Sequence, residues 1–170
     1  GRSSGDVTVD LMNEDSVRAM FAKVGKLDAV VACAGHVHFG PVAAMTPEQF
    51  RKGLNDKLMG QVNLVLLGMD SVNDGGSFTL TSGVLDRDPV RQGANAAAVN
   101  GAIGAFAKGA AIEMPRGLRI NVVSPGLLQD SAQKYDGFFP GHEPVSSERV
   151  GLAYAKSVEG ALSGQVIIVG

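Results

Sequence analysis

The sequence predicts an α/β domain built on one doubly wound parallel sheet. Three observations carry that reading. Short apolar or β-branched runs alternate with helical patterns in the order β-α-β-α-β-α-β-α-β, with no internal repeat or linker, as crossover-connected parallel strands require. One run, Leu27 to Cys33, is nearly continuous in apolar residues, the pattern of a strand covered on both faces. Glycine is in surplus, 23 of 170 residues, with no collagen period. In a chain that is 45% hydrophobic, such a surplus fits tight strand–helix turns and close packing rather than disorder.

Each element has its own signal. Val7-Thr8-Val9-Asp10-Leu11 is a β-branched run and predicts a strand. Asn13-Glu14-Asp15 opens a helix, and Val17, Met20, Phe21 and Val24 follow at helical spacing until Gly25 stops it. Residues 27–33 form the next strand. Thr46-Pro47-Glu48 is a capped opening with proline in the first turn, and the helix runs to about Leu67. Asp74-Gly75-Gly76 is a turn before the strand Ser77 to Ser82. Ala94 to Met114 is a long alanine-rich helix, stopped by Pro115-Arg116-Gly117. Leu118 to Val123 is a strand ended by Ser124-Pro125-Gly126. Residues 127–145 are irregular, Ser146 to about Val158 is helical, and Gly164 to Val169 closes the series.

Charge and cysteine content exclude several functions. Fifteen basic and 17 acidic side chains leave a formal net charge of −2, which argues against a nucleic-acid binder living on counterion release. A single cysteine permits no internal disulfide and fits a reducing compartment. No apolar run reaches about 18 residues, so no membrane span is expected. The opening Gly1 to Asp6 has no apolar core of a signal peptide, and a cytoplasmic location is expected. Small residues along 94–105 permit close approach of a neighbouring backbone, either the sheet or a second subunit. A homo-oligomer, dimer or tetramer, through helices 47–67 and 94–114 is the expectation.

Four segments, in order and at matching intervals, resemble the short-chain dehydrogenase/reductase family over nearly the whole chain. Val9-Asp10-Leu11 is similar to the family's third strand. Asp28 to Gly35 resembles its fourth strand with the Asn-Asn-Ala-Gly motif, written here Ala32-Cys33-Ala34-Gly35. Arg119 to Gly126 resembles the strand that ends in a Pro-Gly turn, and Ser163 to Val169 the closing strand. The resemblance implies a Rossmann-like sheet and a nicotinamide cofactor. It assigns cofactor contacts to Asp10 and Leu11 on the adenine, and to Ala34, Gly35, Asn100, Pro125, Gly126 and Leu128 along the strand ends.

Two departures from the family pattern stand out. The family opens with a strand, a glycine-rich phosphate-binding turn, a helix and a second strand. Here no Gly-x-Gly-x-x-Gly follows a strand, and Gly101, Gly104 and Gly109 lie inside a helix. The expectation is a single Rossmann-like domain over 1–170 from which a β-α-β unit of about 30 residues is missing at the front; the alternative is a chain that evolved without it and fills the gap with a partner. Run 7–11 would then lack the strand that separates it from 27–33. The second departure is chemical. The family's Asn-Ser-Tyr-Lys tetrad uses a tyrosine whose pKa is lowered by a lysine one helical turn away. Aligned here, Ala96 takes the tyrosine position, Asn100 the lysine position and Lys57 the asparagine position. The serine falls on Gly83, or on Ser82 if loop 84–93 carries one extra residue.

Other residues invite chemistry. Arg2-Ser3 would follow the family's second strand, where a guanidinium reads a 2′-phosphate, so NADP is expected over NAD; the alternative is a solvated terminal arginine. His36 and His38 follow a strand's carboxyl end, and His36 could act as acid or base or be an ordinary loop histidine. With His142 far along the chain, no metal is expected. Cys33 is expected to be a buried apolar filler. Tyr135, in the irregular stretch, is either a displaced acid or a packing aromatic beside Phe138 and Phe139. The reading is an NADP(H)-linked oxidoreductase acting on a small carbonyl or hydroxyl substrate. Ser82 would hold the substrate oxygen, Asn100 the ribose, and Lys57 or His36 would be the charged or titrating group. The alternative is a non-catalytic, cofactor-binding or structural relative.

Overall fold

The computed structural model describes residues 1–170. Helix α1 (Glu14–Val24) starts where Asn13 Oδ1 accepts from Ser16 N, with Glu14 and Asp15 in the favourable first turn. Strand β1 (Leu27–Val31) follows at once. Helix α2 (Pro47–Gly53) opens on a capping box in which Thr46 and Gln49 bond each other's backbone. One π turn, Leu54–Leu58, joins it to α3 (Met59–Gly68). Then come β2 (Val72–Thr81), α4 (Ala94–Ala111), β3 (Arg119–Pro125), the short α5 (Gln129–Ala132), α6 (Ser147–Glu159) and β4 (Val166–Val169).

The four strands form one parallel sheet in the order β1-β2-β3-β4. Val30 pairs with Phe78, Phe78 with Ile120, and Val122 with Val166. Helices α1, α3 and α4 cover one face, and α6 covers the other. The main core joins Phe78, Leu80, Ile120 and Val122 of the central strands to Val99, Ile103 and Ala107 of α4, all fully buried. A smaller core sets Val123 and Val169 against Val150 and Ala153 of α6. Arg119 ties the end of α6 to the sheet by donating to Ser157 O and Val158 O, both at 2.8 Å.

The structure departs from the sequence expectations in four places. Residues Val7–Leu11 form no strand. Val9 N donates instead to Gly1 O at 3.0 Å, Asp10 N to Ser16 Oγ at 3.0 Å, and Leu11 packs on Gly60. A β-branched run becomes a strand only beside a ladder partner, and β1 lies across an apolar groove from it. That groove, about 510 Å³, is walled by Val9, Leu11, Met20, Phe21, Leu27 and Val30. β1 ends at Val31 rather than Cys33, so Cys33 is an exposed loop residue and not a buried filler. The turn Asp74-Gly75-Gly76 is an excursion within β2. Pairing jumps from Leu27–Val72 to Ala29–Ser77, and Gly75 takes φ +76°. The long helices are shorter or interrupted: α4 ends at Ala111, and the 47–68 stretch carries the π turn.

Candidate active site

The carboxyl ends of β1, β2 and β3 open into a cavity of about 360 Å³. Each wall comes from the residues just past a strand: Cys33 and Gly35 after β1, Ser82 and Gly83 after β2, and Gly126 and Leu128 after β3, beside Pro125. Helix α4 contributes Ala96 and Asn100, one turn apart on one face. Val37, Phe39, Val84, Leu85, Tyr135 and Phe139 make the remaining wall apolar and partly aromatic. Phe39 and Tyr135 rings lie 6.5 Å apart, and Tyr135 meets Phe139 edge-on at 5.9 Å.

Lys57 enters this cavity from the π turn. A π turn adds a residue to the helical ladder and redirects the side chains that follow, a device frequent at functional sites. Gly35, at φ +129°, makes the approach possible, since a Cβ there would lie 2.6 Å from Lys57 Cα. Lys57 Nζ donates to Ser82 O at 2.8 Å and to Asn100 Oδ1 at 2.7 Å. Asn100 Nδ2 donates to Gly83 O at 3.2 Å, which fixes the amide so that its oxygen faces the lysine. Both acceptors of the lysine are neutral. Burial therefore lowers the Lys57 pKa from 10.5 to about 8, with the Asp86 carboxylate opposing the shift.

A polar cluster braces the floor. Arg87 Nη1 donates to Asp86 Oδ1 at 3.1 Å and to Ser124 Oγ at 2.6 Å. Ser124 Oγ and Ser82 Oγ donate to Asp86 Oδ2 at 3.4 and 3.5 Å. Arg87 Nη2 reaches Gly170 O at 3.3 Å. On the α6 side, the Tyr154 hydroxyl shares a 2.7 Å hydrogen bond with Thr81 Oγ1. Burial, helped by Cys33, pushes its pKa well above the ordinary phenol value.

The residues singled out from the sequence sort into two adjoining clefts. Lys57, Ser82, Asn100, Pro125, Gly126 and Leu128 line the 360 Å³ cavity. Arg2, Leu11, Ala34, Gly35 and His36 line the 510 Å³ groove along β1, and Cys33 and Gly35 border both. Arg2 Nε meets Asp10 Oδ1 at 3.2 Å, and Arg2 Nη2 lies 3.8 Å from Asp56 Oδ2. Ser3 is exposed and lines neither cleft. The His36 side chain is 85% exposed and pairs with Asp56 at 3.2 Å. It therefore stands outside the cavity that holds Lys57, and the loop-histidine alternative describes it. Sequence reading missed the Asp86–Arg87–Ser124 cluster. Its only signal was an Asp-Arg pair in a loop otherwise read as spacing.

The donors on this cavity wall, one amine and one amide beside bare backbone at Ala34–Gly35 and Pro125–Gly126, suit the hydroxyls of a nicotinamide ribose. The family model described as Enoyl-(Acyl carrier protein) reductase matches residues 3–152. The chain is 31% identical over 146 residues, 81% of its length, to tetrahydroxynaphthalene reductase of Pyricularia oryzae. It is 28% identical over 124 residues to an oxidoreductase of Methylorubrum extorquens. It spans about half the length of these curated relatives. Among solved structures, the protein lin1944 from Listeria innocua shares 54% identity and a TM-score of 0.98 over all of this chain and 85% of its own. A small-chain dehydrogenase in complex with NADPH shares 28% identity and a TM-score of 0.84, over 95% of this chain and 80% of its own. The chain belongs to the short-chain dehydrogenase/reductase family.

Proposed function

We propose that this protein is an NADP(H)-linked oxidoreductase acting on a small carbonyl or hydroxyl substrate with an apolar body. One observation carries the reading: a polar end and an apolar end share one cavity at the carboxyl ends of β1–β3, where open α/β sheets bind ligands. Asn100 and Lys57 would hold the nicotinamide ribose and carbonyl region, Ser82 would face the substrate oxygen, and Phe39, Tyr135 and Phe139 would receive the apolar body. Asp10, Leu11, Ala34, Gly35, Pro125, Gly126 and Leu128 would flank the rest of the dinucleotide. The cofactor, when bound, supplies the hydride. NADP is favoured over NAD by the Arg2 guanidinium, and the NADPH complex of a relative supports it. A 2′-phosphate there would take over Arg2 from Asp10 and Asp56.

The direct test is the full-length protein with NADPH or NADH and a panel of aliphatic and aromatic aldehydes and ketones. Substrate-dependent oxidation of NADPH supports the reading; oxidation of neither cofactor across the panel contradicts it. A second reading, cofactor binding without catalysis, is favoured by Ala96, 2% exposed, at the position the family gives to its tyrosine. It predicts a rise in Tm with NADPH by mass action, and no oxidation. Self-association is proposed through the outer faces of α3 and α4, where exposed Leu66 and Ile112 flank a groove lined by Met69, Phe106 and Met114. A monomeric mass by light scattering would contradict it. No helix is long and apolar enough to cross a membrane.

A further inference from the structure

We infer that Lys57 is the proton donor of this site, and that Asn100 is the positioning residue that aims it. The inference rests on the reductase reading above and names the residue that does the work of the absent tyrosine. A tetrahedral ammonium has one bond to Cε and three N–H groups. Ser82 O and Asn100 Oδ1 take two of them. The third is left for the cavity that Lys57 lines. Neither acceptor is a carboxylate, so nothing in direct contact holds the proton as an ion pair would. Ala96, one turn before Asn100 on α4, leaves the space beside the amine free of a side chain that would fill it.

Three groups lining the cavity carry a titratable proton: Lys57, Cys33 and Tyr135. Tyr135 belongs to the segment after β3 that closes the cavity, and its ring is packed among Phe39 and Phe139 with Lys134 over its face. Cys33 is exposed at the mouth. Lys57 is half-buried and, of the three, alone is held by two short side-chain hydrogen bonds. Proton transfer is most effective when the donor's pKa lies near the working pH. Burial brings Lys57 to about 8.

In the reduction, a bound NADPH would supply the hydride that forms the C–H bond and would be oxidised to NADP, and the C=O π pair would take the proton from Lys57 Nζ to form the hydroxyl. Lys57 is left as a neutral amine and regains its proton from solvent. The oxidation runs in reverse and needs the neutral amine. The charged and titratable groups around Lys57 are Asp86 with its partner Arg87, Asp56 with its partners His36 and Arg2, and Cys33, Tyr135 and Lys134 at the cavity. Asp86 alone moves Lys57 noticeably, and upward, against the larger effect of burial.

The experiment takes the best carbonyl found in the panel and compares wild type with five variants. Wild-type kcat for reduction should be level at low pH and fall above about 8. Lys57→Met should lose about 10²–10⁴-fold in kcat with KM little changed. Lys57→Arg keeps the charge but does not titrate in this range, so its residual activity should lack the high-pH fall. Tyr135→Phe should keep that fall. Asn100→Ala should lower kcat and move the Lys57 midpoint downward, because an acceptor that favours the ammonium is gone. That midpoint is read by NMR of the Cε and Nζ nuclei of ¹³C,¹⁵N-labelled lysines without cofactor, and Asn100→Gln should partly restore it. Wild-type kcat retained in Lys57→Met, or a high-pH fall that persists in Lys57→Arg, overturns the proposal while the reductase reading stands. Absence of any turnover overturns both.

Discussion

The middle of the sheet and the cleft at its carboxyl ends are a few residues apart along the same strands, yet they bury opposite kinds of group. Phe78, Leu80, Ile120 and Val122 are fully buried against Val99 and Ile103, and burial is what stabilises them. At the cleft, Ser82 and Ser124 just past those strands and Asn100 of α4 are buried, and Lys57 and Asp86 are half-buried. There burial disfavours the charged form of Lys57, and its hydrogen bonds offset only part of that cost. Lys57 has two such bonds and no ion pair, and Asp86 is shared by Arg87, Ser82 and Ser124. The contrast separates what makes the fold from what the fold holds under tension. A lowered lysine pKa is a measure of that tension, and it is the property a proton donor needs.

The contrast breaks most visibly at the centre. Phe78→Ala should cost about 3–5 kcal/mol by chemical denaturation, because it removes a large buried ring and leaves a cavity between close-packed strands. Next is the response of the cleft to pH. The folded Lys57 pKa is about 8 against 10.5 unfolded, so between those values the unfolded chain binds more protons. Stability must then rise with pH through that window. The stability of wild type relative to Lys57→Met should increase by up to about 3 kcal/mol from pH ~7.5 to ~10.5. A flat difference would mean that Lys57 titrates normally. Thr46→Ala removes the cap of the helix that carries Lys57 and should cost about 1 kcal/mol. At the open edge, Val31 is 45% exposed on β1. Val31→Thr should stay within about 0.5 kcal/mol, which sets the scale for a strand residue outside the close-packed centre.

Much of the fold was legible because its signals are local. Asn13 and Thr46 announce their helices, Gly25 stops the first, and apolar runs mark strands, although run 27–31 forms an open edge strand and not one covered on both faces. Run 7–11 misled because β-branched composition reports fitness for a sheet and not the presence of a partner. Cys33 misled because an apolar run does not show where the ladder ends. The π turn had no signature at all, yet it directs Lys57 into the cavity. The site was half legible. That Lys57 and Asn100 both belong near the site could be expected from the resemblance to the family. That the two touch at 2.7 Å could not, because contact between residues 43 apart depends on Gly35 admitting the helix. His36 looked as eligible as Lys57 in the sequence, and only the direction of the loop separates them.

The measurement that bears most directly on this account is the titration of Lys57 itself, followed by NMR of the Cε and Nζ nuclei in protein labelled with ¹³C,¹⁵N-lysine and assigned by the signal lost in Lys57→Arg. A midpoint near 8, distinct from the bulk of the lysines, is the predicted result. A Lys57 signal that titrates with the others near 10.5 would show an amine open to water and would contradict the account of the site.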